Sequence, residues 1–253
     1  MGSNIRYFIG NWKMFGVPGS YKIISNINAF FNKDRNNNKK YKIIIAPPFT
    51  LLQNFSNKIK NKPISLSAQN CSDKDNFGSY TGHISPYMIK KIGINYTIIG
   101  HSECRMSGET DKILENKVKA ALKNKLTIIF CVGENKSEKK NKKTLSVLKK
   151  QISKVLKKKY DFKKIIIAYE PIWSIGSGKT LSTNELYSYV VILKKFIKKK
   201  FSLKSNPKLI YGGSVDQNTI NAFKNIRELD GFLIGGASKS SKNFIDIIKN
   251  FYK

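Results

Sequence analysis

Eight short apolar runs, rich in β-branched residues, recur along this chain at 6–10, 41–46, 64–68, 96–99, 127–132, 164–169, 209–211 and 231–234. Each is nearly continuous in hydrophobicity, the pattern of parallel strands buried on both faces. Between them lie stretches with helical spacing of apolar positions, such as 21–31, 110–122, 145–156 and 185–197. Ser182 followed by Glu185 reads as a capping box opening the last of these. Strand and helix alternate with no linker rich in Pro, Gly or Ser to divide them. The pattern predicts one (β/α)8 barrel spanning residues 1–253. A doubly wound open sheet is the alternative, but the Gly-x-Gly-x-x-Gly that opens its first turn is missing. The polar tract 36–40 reads as a solvated loop.

Composition narrows the class. Hydrophobic residues make up 40% of 253, enough for an ordinary core. No apolar run approaches the ~18 residues of a membrane span. The first strand begins so early that no leader is expected ahead of it. Cys71, Cys104 and Cys131 are odd in number and widely spaced, without a C-x-x-C. That argues against a disulfide framework or zinc site, and for a reducing cytoplasm.

The net charge of +31 is extreme. It fits a polyanionic partner, or a drift toward Lys on solvated helix faces. Lys runs are scattered over several segments, Arg is rare, and aromatics do not interleave as stacking platforms for bases. The reading therefore favours solvated faces over specific nucleic-acid binding. Small anions are attracted either way.

Barrels carry their chemistry at the C-terminal ends of strands. Five such ends stand out here: Gly10-Asn11-Trp12-Lys13-Met14, Gly100-His101-Ser102-Glu103, Tyr169-Glu170-Pro171, Tyr211-Gly212-Gly213-Ser214 and Gly235-Gly236-Ala237-Ser238. Gly178-Lys179-Thr180 imitates the end of a nucleotide-binding loop, but the first Gly that loop requires falls on Trp173. Read singly, each residue has a bland alternative. Glu170 serves as a base or as a strand-end carboxylate paired with Lys. His101 serves as a site imidazole, or as a helix-capping or satisfied core histidine. Glu103 serves as a site carboxylate or as a first-turn acid on a helix. The paired glycines serve as anion cradles or as tight turns.

Together with Ala68-Gln69-Asn70, Cys131-Val132-Gly133-Glu134 and the extension of the Glu170 block to Trp173, the chain resembles the triosephosphate isomerase family from end to end. The resemblance implies a TIM barrel that interconverts dihydroxyacetone phosphate and D-glyceraldehyde 3-phosphate, in glycolysis and gluconeogenesis. It implies that Glu170 moves the proton. His101 is then a neutral electrophile, kept so by a helix N-terminus after Gly100. Lys13 supplies positive charge, with Asn11 and Glu103 beside it. Backbone at Gly176, Ser214, Gly235 and Gly236 would hold the phosphate. Residues 171–173 and 179–181 would hinge a lid that, with Trp173, desolvates Glu170. No metal or cofactor is implied. Loop 72–85 would pair two copies as a homodimer. The partner is a small phosphorylated triose, with no specific nucleic acid and no membrane. A barrel isomerase or lyase for a larger phosphosugar, and a basic nucleic-acid binder, are the rival functions.

Four positions depart from the family pattern. Ser174 and Leu181 stand where the family usually has Ala, so altered lid kinetics are expected. His83 and Cys104 stand where members commonly have a Glu and an Arg that pair across the dimer interface. The dimer is expected to persist by packing, with different polar contacts.

Overall fold

The structure, a computed structural model, describes residues 5–60 and 62–253. The expected absence of a leader concerns residues outside that range. The strands are β1 (Arg6–Asn11), β2 (Tyr41–Ala46), β3 (Ser65–Ala68), β4 (Tyr96–Ile99), β5 (Thr127–Val132), β6 (Ile165–Tyr169), β7 (Lys208–Tyr211) and β8 (Gly231–Ile234). All pair in parallel and in sequence order, and β1 pairs with β8 to close the barrel. The helices are α1 (Tyr21–Lys33), α2 (Phe49–Ile59), α3 (Pro86–Lys91), α4 (Ser102–Met106), α5 (Asp111–Lys123), α6 (Lys136–Lys140), α7 (Thr144–Val155), α8 (Thr183–Phe201) and α9 (Ser241–Tyr252). None among the described residues is long and apolar enough to cross a membrane.

The two-residue period of a strand explains both layers of the core. Tyr7, Ile9, Ile44, Ala46, Ile129, Cys131, Ile166 and Ala168 form one buried cluster inside the barrel. Their neighbours Phe8, Ile43, Ile45, Ile128, Phe130, Ile165, Ile167 and Tyr169 belong to a second cluster, packed against the helices. The same period carries Asn11 and Glu170 inward at the barrel mouth. Once the inward set is known, the alternation sets the direction of both candidate site residues.

Two local expectations change. The crossover from β7 to β8 carries a short 3-10 segment, Thr219–Phe223, instead of an α-helix. Asp216 Oδ1 accepts from the amides of Asn218 and Thr219, which favours a turn over a helical start. At α8 the capping box is half made. Ser182 accepts from the Glu185 amide, but the Glu185 carboxylate pairs with Lys139 on α6.

Candidate active site

Strand ends β1, β4, β6, β7 and β8 surround a cavity of about 400 Å³ at the barrel mouth. Asn11, Lys13, His101, Glu170, Gly176, Ser214, Gly235 and Gly236 all line it. Glu103 does not, and stands behind Lys13 instead, 2.6 Å from its Nζ. The cavity is also lined by Gly178, Gly212 and Gly213, from the lid and the paired-glycine turn the sequence marked, and by Asp216 and Lys239, which sequence reasoning did not place there.

Lys13 sits in left-handed backbone, φ +55°. Such a conformation costs a non-glycine residue about 1–3 kcal/mol and needs support from its surroundings. Asn11 Oδ1 accepts from the Lys13 amide at 3.1 Å. Gln69 Nε2 donates to the Lys13 carbonyl at 2.9 Å and to the Ala46 carbonyl at 2.8 Å. The ammonium is therefore aimed by backbone strain and two amide side chains. Gln69 lies in a block the sequence singled out, yet its task is visible only through space. Burial would raise the Glu103 carboxyl, but the Lys13 hydrogen bond and the charges of Lys13 and Lys239 hold it below its usual range.

His101 precedes α4, and its Nδ1 accepts from the Glu103 amide at 3.2 Å. A ring nitrogen that accepts carries no proton, so the neutral ring places its hydrogen on Nε2. Nε2 lies 3.4 Å from Glu170 Oε2. The imidazole is held neutral, with its pKa pushed down to about 4. The cause differs in emphasis from the expected helix N-terminus. Burial is foremost, Lys13 adds to it, and Glu103 opposes it.

Glu170 is 2% exposed. Burial raises its carboxyl from 4.5 to about 8, against the lowering effects of the Ser102 amide, Lys13 and Arg105. The Ser102 N–H donates to Oε1 at 2.7 Å. Backbone of the neighbouring strand ends packs closely against Glu170. A Cβ on Gly133 would stand 1.9 Å from the Glu170 carbonyl oxygen, and one on Gly212 would stand 3.2 Å from the Glu170 Cβ. The Trp173 ring nitrogen meets Glu134, whose Oε1 accepts its Nε1–H at 2.8 Å and the Tyr169 hydroxyl at 3.2 Å. The Trp173 contact with Glu134 was not foreseen, although Glu134 lay in a quoted block.

Opposite this wall the lining is mostly backbone. Gly176 and Gly178 have φ of +68° and +72°, and a Cβ on either would meet open space. Glycine is needed there for conformation, not for room. Gly235 and Gly236 follow β8, where barrels commonly bind phosphate. Lys239, just beyond, places Nζ 5.4 Å from the centre of the Phe15 ring. The arrangement brings together a buried carboxyl, a neutral N–H donor, an ammonium and a cavity lined largely by glycine.

This fold and this site define a (β/α)8-barrel enzyme. A family model described as triosephosphate isomerase matches residues 6–251. A triosephosphate isomerase of Borrelia garinii subsp. bavariensis is 39% identical over 250 residues, covering 96% of this chain and 98% of that one. One from Emericella nidulans is 37% identical over 251 residues, covering 96% and 97%. A crystal structure of triosephosphate isomerase from Bartonella henselae superposes with a TM-score of 0.87 at 32% identity, covering 98% of this chain and 99% of that one. The chain belongs to the triosephosphate isomerase family.

Proposed function

We propose that this chain interconverts dihydroxyacetone phosphate and D-glyceraldehyde 3-phosphate, a step of glycolysis and gluconeogenesis. The carrying observation is the 3.4 Å approach of a buried carboxylate, Glu170, to the protonated nitrogen of a neutral His101. Glu170 takes a proton from the carbon beside the substrate carbonyl and returns it to the neighbouring carbon. A base whose pKa lies near the working pH balances strength against ionisation. Negative charge develops on the carbonyl oxygen, where His101 Nε2–H and Lys13 Nζ stabilise it. Neutrality suits His101 to this role, because it donates without first having to lose a charge-assisted partner. Asn11 supports Lys13, and Glu103 holds its ammonium. The amides of Gly176, Ser214, Gly235 and Gly236 receive the phosphate. The segment after Glu170 closes over the site and limits loss of phosphate from the enediolate.

A homodimer is part of this proposal. Met14 is 99% and Val17 65% exposed beside Lys13, and Phe77 is 75% exposed on loop 72–85. Apolar side chains this exposed, next to the site, suit burial by a second copy. His83 and Cys104 are engaged within the chain, by Ser72 Oγ and Asn70 Nδ2. An active monomer in sedimentation at micromolar concentration would overturn the dimer. A cytoplasmic location is supported by the free thiols of Cys71, Cys104 and Cys131, and isolation as a disulfide-linked form would count against it. The function itself is tested by a coupled isomerase assay on the purified chain. Turnover of triose phosphate is expected, and folded but inactive protein would refute the proposal.

A further inference from the structure

Ser174 is fully buried, and its hydroxyl joins three parts of the site. Oγ donates to the Lys179 carbonyl at 2.6 Å, which ties together the two ends of segment 175–178. The same oxygen accepts from the Ser214 amide at 3.1 Å. The Ser174 carbonyl accepts from the Ser214 hydroxyl at 2.6 Å and from the Ser177 hydroxyl at 3.0 Å. A Cβ on Gly213 would stand 2.8 Å from Ser174 Oγ, so the neighbouring backbone leaves this hydroxyl little freedom. An alanine here would remove one partner each from the Lys179 carbonyl and the Ser214 amide.

We propose that Ser174 is a positioning residue. Its hydroxyl latches both ends of segment 175–178 to the Ser214 amide, so an arriving phosphate must displace the latch to use that amide. The proposal rests on Ser214 being a phosphate donor. A hydroxyl has one hydrogen, and here it is spent on Lys179, so Oγ meets Ser214 only as an acceptor. Phosphate oxygen and Ser174 Oγ therefore compete for one N–H. Competition of this kind lowers the apparent affinity by the fraction of molecules already latched, and links phosphate binding to release of the segment.

The test compares wild type, Ser174→Ala and Ser214→Ala, using inorganic phosphate as the probe. Phosphate affinity is read by calorimetry, and motion of the segment by temperature-jump fluorescence of Trp173. Ser174→Ala is expected to bind phosphate about three- to tenfold more tightly, with relaxation faster by a similar factor, the worth of one hydrogen bond. Ser214→Ala keeps the amide but loses the bond to the Ser174 carbonyl. It should relax faster with affinity changed less than about twofold. Ser174→Cys fills the same space with a weaker donor, and moves both readouts in the direction of alanine if alanine does not fold. Equal or weaker phosphate binding by folded Ser174→Ala, or by Ser174→Cys in its place, would overturn the latch. Failure of wild type to bind phosphate would instead overturn the reading of Ser214 on which it rests.

Discussion

The two sides of the cavity are built from different materials. The wall that carries Asn11, His101 and Glu170 is made of side chains, each at most 6% exposed. Every one of them is fixed by a second group. Asn11 receives the Lys13 amide, His101 the Glu103 amide, and Glu170 the Ser102 amide. The facing cradle is made largely of glycine backbone, and Gly176, Gly178 and Gly236 have open space where a side chain would be. One side holds a geometry before substrate arrives, while the other has room to move once the Ser174 bonds are released. Proton transfer needs the first property, and admitting and releasing a phosphate needs the second.

The comparison breaks most directly at His101. Replacing it with Gln removes the ring that holds one nitrogen on the Glu103 amide and sets the other 3.4 Å from Glu170 Oε2. The expected loss in kcat is about 10²–10³-fold, with a much smaller change in KM. A loss below tenfold would mean that the wall is less committed than its geometry implies.

A smaller effect concerns the stability cost of the wall. Glu170 has a folded-state pKa of about 8 against an ordinary 4.5. The folded state therefore holds its proton across a window in which the unfolded state has lost it. Stability from this group is fully present below about 4.5 and declines as pH rises toward about 8. His101 acts oppositely. Its folded pKa of about 4 lies below 6.5, so its contribution is lost as pH falls through that range. Glu170→Gln should thus gain stability relative to wild type between pH 5 and pH 8. The gain is read as Tm, at roughly 2–4 °C per kcal/mol for a domain of this size. A Tm difference independent of pH would contradict the raised carboxyl.

Much of this was legible in the sequence, for identifiable reasons. Buried parallel strands leave a strong local signal, and all eight runs are strands to within one residue at each end. The inward direction of Glu170 follows from counting by two from Ile166 and Ala168. The weakest prediction of regular structure was the β7–β8 crossover, where an Asx turn overrides the helix. At the site, residue type said little about Lys13 in a chain with 47 Lys and Arg, and its place at a strand end said more. The supports were not legible. The grip of Gln69 on the Lys13 carbonyl, the Ser102 amide on Glu170 and the turn of Trp173 toward Glu134 depend on contacts between separate strand ends. Ser174 was visible as a departure from the family, but its three-way bond was not.

The central claim is that Glu170 is the group that moves the proton. The most direct measurement is kcat of Glu170→Gln in the coupled isomerase assay, with phosphate affinity measured on the same sample to report an intact site. The predicted result is a fall of roughly 10³-fold or more, at the strong end of general base catalysis, with phosphate binding retained. Activity within tenfold of wild type would contradict the account.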